Sequence, residues 1–112
     1  MKLPQEGLLL RIFVGETDLL EGRPLYERIV EEARLLNLAG ATVLRGMMGY
    51  GAGSRIHTAK FVRVKEDLPV VIELVDSEAQ IEKLLPFLDK VVAEGLVTLE
   101  RVRVIKYRNR EA

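Results

Sequence analysis

Apolar positions recur along the chain at two different spacings. Leu8-Leu9-Leu10-Arg11-Ile12-Phe13-Val14 is short, apolar and β-prone, and Gly15 ends it. Apolar residues at both parities read as a strand buried on both faces. Glu16-Thr17-Asp18-Leu19-Leu20-Glu21-Gly22 follows as an acidic loop. Pro24 suits a first helical position, where its missing N–H costs nothing. Leu25, Ile29, Ala33 and Leu36 then recur at helical spacing, with Glu27, Arg28, Glu31, Glu32 and Arg34 on the wetter side. Asn37 and Gly40 are the helix-stop residues.

Ala41 to Tyr50 predicts a second strand, in which Gly46 marks a bulge or a close backbone approach. Residues 51–68 form a long connection; 56–64 read as extended and Lys65-Glu66-Asp67 as a turn. Pro69 to Val75 predicts a third strand, with proline tolerated at its first position. Ser77 and Gln80 match a capping box that opens a second helix. Ile81, Leu84, Leu85, Leu88, Val91 and Val92 give its apolar stripe, Pro86 predicts a kink, and Gly95 ends it. Leu96 to Tyr107 predicts the last strand, whose apolar phase shifts between Leu99 and Val102. Residues 108–112 are a polar tail.

The order β-α-β, long loop, β-α-β predicts an α+β protein: a ferredoxin-like βαββαβ sandwich with a four-stranded antiparallel sheet and two helices on one face. At 112 residues the chain is expected to be one domain spanning 1–112. Helices can cover only one side of strands that are apolar on both. Another subunit is the simplest cover for the other side, so homo-oligomerisation is expected.

Composition narrows the chemistry. Lys plus Arg and Asp plus Glu are both 17, a balance that argues against a nucleic-acid partner. With no Cys, disulfides, thiol catalysis and Cys-ligated metals are excluded, and a single His rules out a histidine-rich metal site within one chain. No apolar run reaches the roughly 18 residues that span a bilayer, and the N-terminus has no signal-peptide layout, so a cytoplasmic location is expected.

Residues 38–58 concentrate the chemistry. They hold five of the nine glycines, the only His and one of two Ser. Flexible backbone beside Ser54, Arg55, His57, Thr58 and Lys60 can wrap an anion with N–H donors, or it can be a strand exit that serves packing alone. Gly49-Tyr50-Gly51-Ala52-Gly53-Ser54 lacks the helix that a dinucleotide fingerprint requires, and no Gly-Lys-Ser/Thr occurs. His57 reads as a proton carrier, as a ligand to a metal on a symmetry axis, or as a loop histidine bonded to backbone. Glu16 and Asp18 are a carboxylate pair or a solvated loop ahead of a helix. Met47 and Met48 read as filler. Arg45, Arg101 and Arg103 pair across strands or bind an anion between subunits. No nucleophile-base-orienter set is evident, so no catalytic residue is assigned.

Gly40-Ala41-Thr42-Val43, Gly49-Tyr50-Gly51 and the downstream His57 resemble the second strand and T-loop of PII signalling proteins. The βαβ-loop-βαβ order matches as well. Gly15-Glu16, Pro24-Leu25-Tyr26, Leu38-Ala39-Gly40-Ala41-Thr42-Val43, Arg45-Gly46-Met47-Met48-Gly49-Tyr50-Gly51, Ile56-His57, Asp67-Leu68-Pro69-Val70-Val71-Ile72 and Glu94-Gly95-Leu96-Val97-Thr98-Leu99-Glu100 are more closely similar to an uncharacterised prokaryotic PII-like family, the domain-of-unknown-function family one-ninety.

The resemblance implies a PII-like fold, a homotrimer, and ligand sites in the clefts between subunits. In PII proteins the ligand is an adenine nucleotide, and the T-loop reports occupancy to a transporter or enzyme. Thr42, Gly49 and Gly51 match the binding positions, and Arg55 and His57 join them as ligand-binding candidates on the loop. The glycine- and lysine-rich phosphate loop of PII proteins is replaced here by Gly95-Leu96-Val97-Thr98-Leu99-Glu100. A smaller anion, a nucleotide held differently, or no ligand are the alternatives. The expected function is thus a non-enzymatic regulatory trimer that senses a small anionic ligand and signals through residues 51–68. A structural or metal-binding trimer is the alternative, with a small isomerase or hydrolase behind it. No cofactor is certain; an adenine nucleotide is the one the resemblance names.

Overall fold

The computed structural model describes residues 5–51, 57–58 and 67–110. Strand β1 (Glu6–Gly15) is central. It pairs antiparallel with β7 (Pro69–Asp76) on one side and β8 (Leu96–Arg103) on the other. Strand β4 (Thr42–Arg45) adds antiparallel to the far side of β7, so the sheet order is β4-β7-β1-β8. Helices α1 (Leu25–Leu35) and α2 (Glu78–Val91) lie on one face, completing the expected ferredoxin-like sandwich.

The period of two decides which side chains form the core. Leu10, Ile12 and Val14 of β1 and Val70, Ile72 and Leu74 of β7 are buried beneath the helices. Leu25, Ile29 and Ala33 of α1 and Ile81, Leu84 and Leu88 of α2 meet them from above.

Helix ends follow local chemistry. Asn37 adopts φ 62°, the Leu38 N–H donates to Ala33 O at 3.0 Å, and the Asn37 N–H donates to Arg34 O at 3.0 Å. That is a Schellman stop, with Leu38 buried as its apolar contact. Gly40, the other stop candidate, plays no part in it. The Ser77 Oγ accepts from the Gln80 N–H at 3.3 Å, but the reciprocal half of the capping box is missing. Gln80 Nε2 instead donates to Asn37 O at 3.1 Å, and the Ser77 N–H goes to Asp76 Oδ1 at 2.7 Å. Helix α2 continues through Pro86.

Other sequence expectations shift. Leu19–Leu20 (β2) and Arg23–Pro24 (β3) form a small hairpin inside the acidic loop. Glu21 and Gly22 have φ of 51° and 80°, the paired positive angles of a type I′ turn. Pro24 therefore precedes the helix instead of opening it. The strand expected over 41–50 is broken: β4 stops at Arg45, and Met48–Gly49 (β5) pairs separately with His57–Thr58 (β6). Gly46 is the break and the close approach. Its N–H donates to Pro69 O at 2.7 Å, and an added Cβ would lie 2.7 Å from Pro69 Cγ. The last strand stops at Arg103, short of the expected Tyr107.

Two predictions follow from this frame. A Cβ on Gly95 would stand 2.4 Å from the Phe13 carbonyl oxygen, and backbone cannot swing aside as a flexible side chain can. Gly95→Ala is therefore expected to lower unfolding stability by about 1–3 kcal/mol in denaturant titration. Arg23 donates to both Glu31 carboxylate oxygens, at 3.2 and 2.5 Å, and holds that carboxyl below its ordinary range. A depressed folded value means that the pair contributes at neutral pH and is lost as pH falls through it. Glu31→Gln should flatten the acid limb of the stability profile, read as thermal midpoint against pH.

Candidate functional site

The residues that alternate with the core point to the helix-free face. On β1 these are Leu9, Arg11 and Phe13; on β7 they are Val71, Glu73 and Val75. All six are half-buried. Arg11 lies opposite Glu73 in the ladder and donates from Nε to Glu73 Oε2 at 2.8 Å. Arg11 Nη1 also lies 3.6 Å from Glu100 Oε2 on β8. The hydrogen bond it donates to Glu73 and the two carboxylate charges hold the Arg11 guanidinium above its ordinary pKa.

A groove of about 700 Å³ lies at one end of this face. That is within the size range of small-molecule sites. Its floor is Leu9, Val75 and Val102, and its side wall carries Thr42 and Glu73. Thr42 faces Glu73 across the β4–β7 ladder, which sets a hydroxyl beside a carboxylate. Arg103 and Lys106 are exposed and belong to the segment that lines the groove, though Arg103 alternates with Val102 and has the strand parity of the helix-covered face. They belong to a stretch, residues 101–110, with five basic residues and no acidic one. Among the described residues, no ion pair engages these five. Tyr107 also lines the groove, its hydroxyl donating to Ala39 O at 2.7 Å. Apolar floor, polar wall and cationic rim suit a molecule with a flat apolar body and an anionic end.

The wall is anchored from behind. Asp76 is 1% exposed, yet its carboxylate is satisfied: Oδ2 accepts from the Ala39 N–H at 2.8 Å and Oδ1 from the Ser77 N–H at 2.7 Å. The end of β7, the turn after α1 and the start of α2 are thereby joined through one side chain.

A second cluster occupies the opposite end of β4. Gly46 and Gly49 both lie against Pro69; a Cβ on Gly49 would sit 3.1 Å from Pro69 Cγ. Arg45 pairs with Glu16, with Arg45 Nη2 3.0 Å from Glu16 Oε1. Asp18 accepts from the Gly15 N–H at 2.9 Å and Asp67 from the Thr17 N–H at 2.8 Å. These carboxylates shape the turn after β1, and among the described residues no group of three or more His, Cys, Asp or Glu could hold a metal.

The sequence candidates therefore separate within one chain. Thr42 lines the groove. Gly49 pairs with His57 across β5 and β6, and Gly49 lies against Pro69. Glu73 and Pro69, their respective neighbours on β7, lie roughly 13 Å apart along the strand. A Cβ on Gly51 would meet nothing within 4 Å. Arg55, with Ser54 and Lys60, lies outside the described residues. Glu73, Asp76, Lys106 and Tyr107 were not singled out from the sequence. For Tyr107 the signal was present: a lone aromatic amid a polar, basic tail. For Asp76 there was none, because a carboxylate ahead of a capping serine looks solvated.

The sheet order and the helix-covered face define a PII-like fold of the ferredoxin type. The chain belongs to the DUF190 family (Uncharacterized ACR, COG1993), whose profile matches residues 7–104. A UPF0166 protein of Aquifex aeolicus is 42% identical over 99 residues, which are 87% of this chain and 91% of that one. A UPF0166 protein of Methanocaldococcus jannaschii is 34% identical over 99 residues, 88% of this chain and 91% of that one. Among solved structures, CPII from Thiomonas intermedia K12 bound to ADP and bicarbonate aligns with a TM-score of 0.68. It is 17% identical, and the alignment covers 94% of this chain and 93% of CPII. A further structure describes CPII as a nitrogen regulatory PII-like protein bound to ADP, AMP and bicarbonate. Among the described residues, no helix is long and apolar enough to cross a membrane.

Asp76 yields a stability prediction. Asp76→Asn keeps the shape but turns an NH2 group toward one of two backbone N–H donors. A loss of about 2 kcal/mol in unfolding free energy is expected, since hydrogen bonds to charged groups are worth roughly 1.5–3 kcal/mol. Urea titration monitored by circular dichroism checks it.

Proposed function

We propose that this chain is a PII-like regulatory binding protein, one domain over residues 1–112, acting in the cytoplasm as a homotrimer. It binds a small anionic ligand, an adenine nucleotide, in clefts between subunits. Residues 51–68 report occupancy to a partner, either a membrane transporter or an enzyme. The protein is a sensor and not an enzyme. Thr42, Gly49, Gly51, Arg55 and His57 are the ligand-binding residues of this reading, and the groove adds Arg103 and Lys106 as phosphate partners.

The groove is the observation that carries the proposal. Leu9, Val75 and Val102 offer an apolar bed for a flat ring, Thr42 offers a hydroxyl, and the basic segment beside them, which makes no ion pair among the described residues, offers charge. ADP in CPII, a structure of the same fold, supports the choice of ligand. A trimer would let the Gly49–His57 end of one subunit approach the Thr42 groove of the next, which a single chain keeps apart. Exposed apolar residues on both edge strands favour such an assembly: Leu44 on β4 is 49% exposed and Leu99 on β8 is 48%.

Calorimetry with ADP, AMP, ATP and cyclic nucleotides tests the ligand, and sedimentation equilibrium tests the trimer. Saturable heat with at least one nucleotide is expected. Lys106→Ala should weaken it by up to about 5-fold, the worth of one exposed charge pair, and less at high salt. No heat with any of these nucleotides, on folded trimer, would leave a structural trimer in place of a sensor.

A further inference from the structure

The chain leaves the four-stranded sheet after Arg45 and returns to it at Pro69. Both stems of that excursion meet residues at the end of β1 or the start of β7. The Glu16 N–H donates to Leu68 O at 2.8 Å, one residue beyond the Gly15–Pro69 pair, so the β1–β7 ladder runs on into the returning stem. The Gly46 N–H donates to Pro69 O at 2.7 Å, one residue beyond the Arg45–Val70 pair, so the β4–β7 ladder runs on into the outgoing stem. Thr17 adds a further hold on the return, its N–H donating to Asp67 Oδ1 at 2.8 Å. Gly15 leaves room for that carboxylate: a Cβ there would stand 2.5 Å from Asp67 Oδ2.

One contact bypasses the ladders. Arg45 takes the Glu16 carboxylate with two nitrogens, Nε on Oε2 and Nη2 on Oε1, the latter at 3.0 Å. Strand β7 lies between β4 and β1, so the pair bridges roughly 10 Å of sheet. Laterally paired residues share a face of the sheet. Arg45 lies opposite the buried Val70 and Glu16 beside the buried Leu68, which puts both on the helix-covered side. The pair thus passes over the start of β7 as a crossbar and ties the loop-side end of β4 to the central strand. A guanidinium that donates two bonds to one carboxylate fixes direction as well as distance. The side chains are 63% and 28% exposed, so the pair adds little to the stability of the fold. It is suited to holding a position.

We infer that Glu16 is the positioning residue of the reporting loop: through Arg45 its side chain fixes where the outgoing stem leaves the sheet, while the backbone of Glu16 and Thr17 fixes where the returning stem comes back. This rests on the reading that residues 51–68 report ligand occupancy. Strand β1 is then the common reference for both stems, and the same strand lines the groove through Leu9. Loss of the crossbar frees the outgoing stem alone. Thr42, at the other end of β4, keeps its place opposite Glu73. Glu16 therefore governs the response of the loop more than the affinity of the groove.

Glu16→Ala removes the crossbar; Glu16→Arg combined with Arg45→Glu rebuilds it with the charges exchanged. Amide hydrogen exchange, read by NMR on the ligand-free protein, follows the two stems separately. In Glu16→Ala the Gly46 amide should exchange about 1.5- to 5-fold faster, the worth of one exposed ion pair. The Thr17 amide should be unchanged, and the exchanged pair should return Gly46 to about the parent rate. ADP titration then reads the loop. The amide shifts that ADP produces at Met48 and Gly49 should fall by about half or more in Glu16→Ala and recover in the exchanged pair. Unchanged Gly46 exchange, or a Thr17 amide quickened as much as Gly46, would overturn the positioning role. So would a quickened Gly46 with the ADP response intact. A Kd weakened by more than about 5-fold, and equally so in the exchanged pair, would make Glu16 a ligand contact instead. Should the parent protein bind no ADP, the nucleotide reading fails, and exchange at the two stems still decides whether Glu16 holds the outgoing one.

Discussion

Everything in this chain depends on β1 being sandwiched between β7 and β8. A central antiparallel strand must satisfy its backbone on both edges and both of its side-chain faces at once. One face is served by α1 and α2 over Leu10, Ile12 and Val14. The other carries Leu9, Arg11 and Phe13 and has no helix over it among the described residues. Arg11 answers part of that problem by spanning its neighbours, reaching Glu73 on β7 and Glu100 on β8. Charge on a half-apolar face limits nonspecific adhesion, and it fixes which carboxylates stand near the groove. Exposed pairs of this kind contribute little to stability. Their larger effect is geometric, because an oriented Glu73 is the neighbour of Thr42.

The buried carboxylate of Asp76 links that sheet to the loops that matter. Unpaired, a charge so deeply buried would cost several kcal/mol. Two backbone N–H donors remove most of that penalty, and the favourable field at the N-terminus of α2 adds to it. The requirement works in reverse as well. Ala39 and Ser77 are held where they are because the carboxylate needs them. The turn after α1 is thereby anchored to the sheet through the Leu38–Ala39 peptide, in place of a surface loop free to drift.

Much of the fold was legible in the sequence because it rests on periodicity. Leu25, Ile29 and Ala33 could occupy one face only as a helix, and the apolar run around Leu10 was too short for anything but a strand. What escaped was set by contacts distant in sequence. The I′ turn at Glu21-Gly22 lacks the usual Asn-Gly signature, so the small hairpin looked like loop. Gly46 was read correctly as a close approach, but its partner, Pro69, is 23 positions away, and the break in the strand could not be placed. Gln80 abandoned its capping role because the carbonyl of Asn37 lay within reach. Of the site, Thr42 was legible through its resemblance to a known pattern. Glu73 and Tyr107 were not, since their roles exist only once β7 and the tail are brought to the same face.

The groove and the Gly49–His57 hairpin sit at opposite ends of one short edge strand, and this separation bears on how the protein could signal. Strand β4 is four residues long and is held by β7 alone. At one end its Thr42 lines the groove; at the other, Arg45 is tied to Glu16 and Gly46 to Pro69. If the groove holds the ligand, as proposed, pressure on Thr42 would shift a short strand whose other end leads toward residues 51–68. Gly46 and Gly49 accept the Pro69 ring without a Cβ between them, so that end packs closely on the start of β7. A longer, doubly paired strand would resist such a shift through many ladder bonds. In the proposed reading, this short, singly paired strand is the direct link between the groove and residues 51–68.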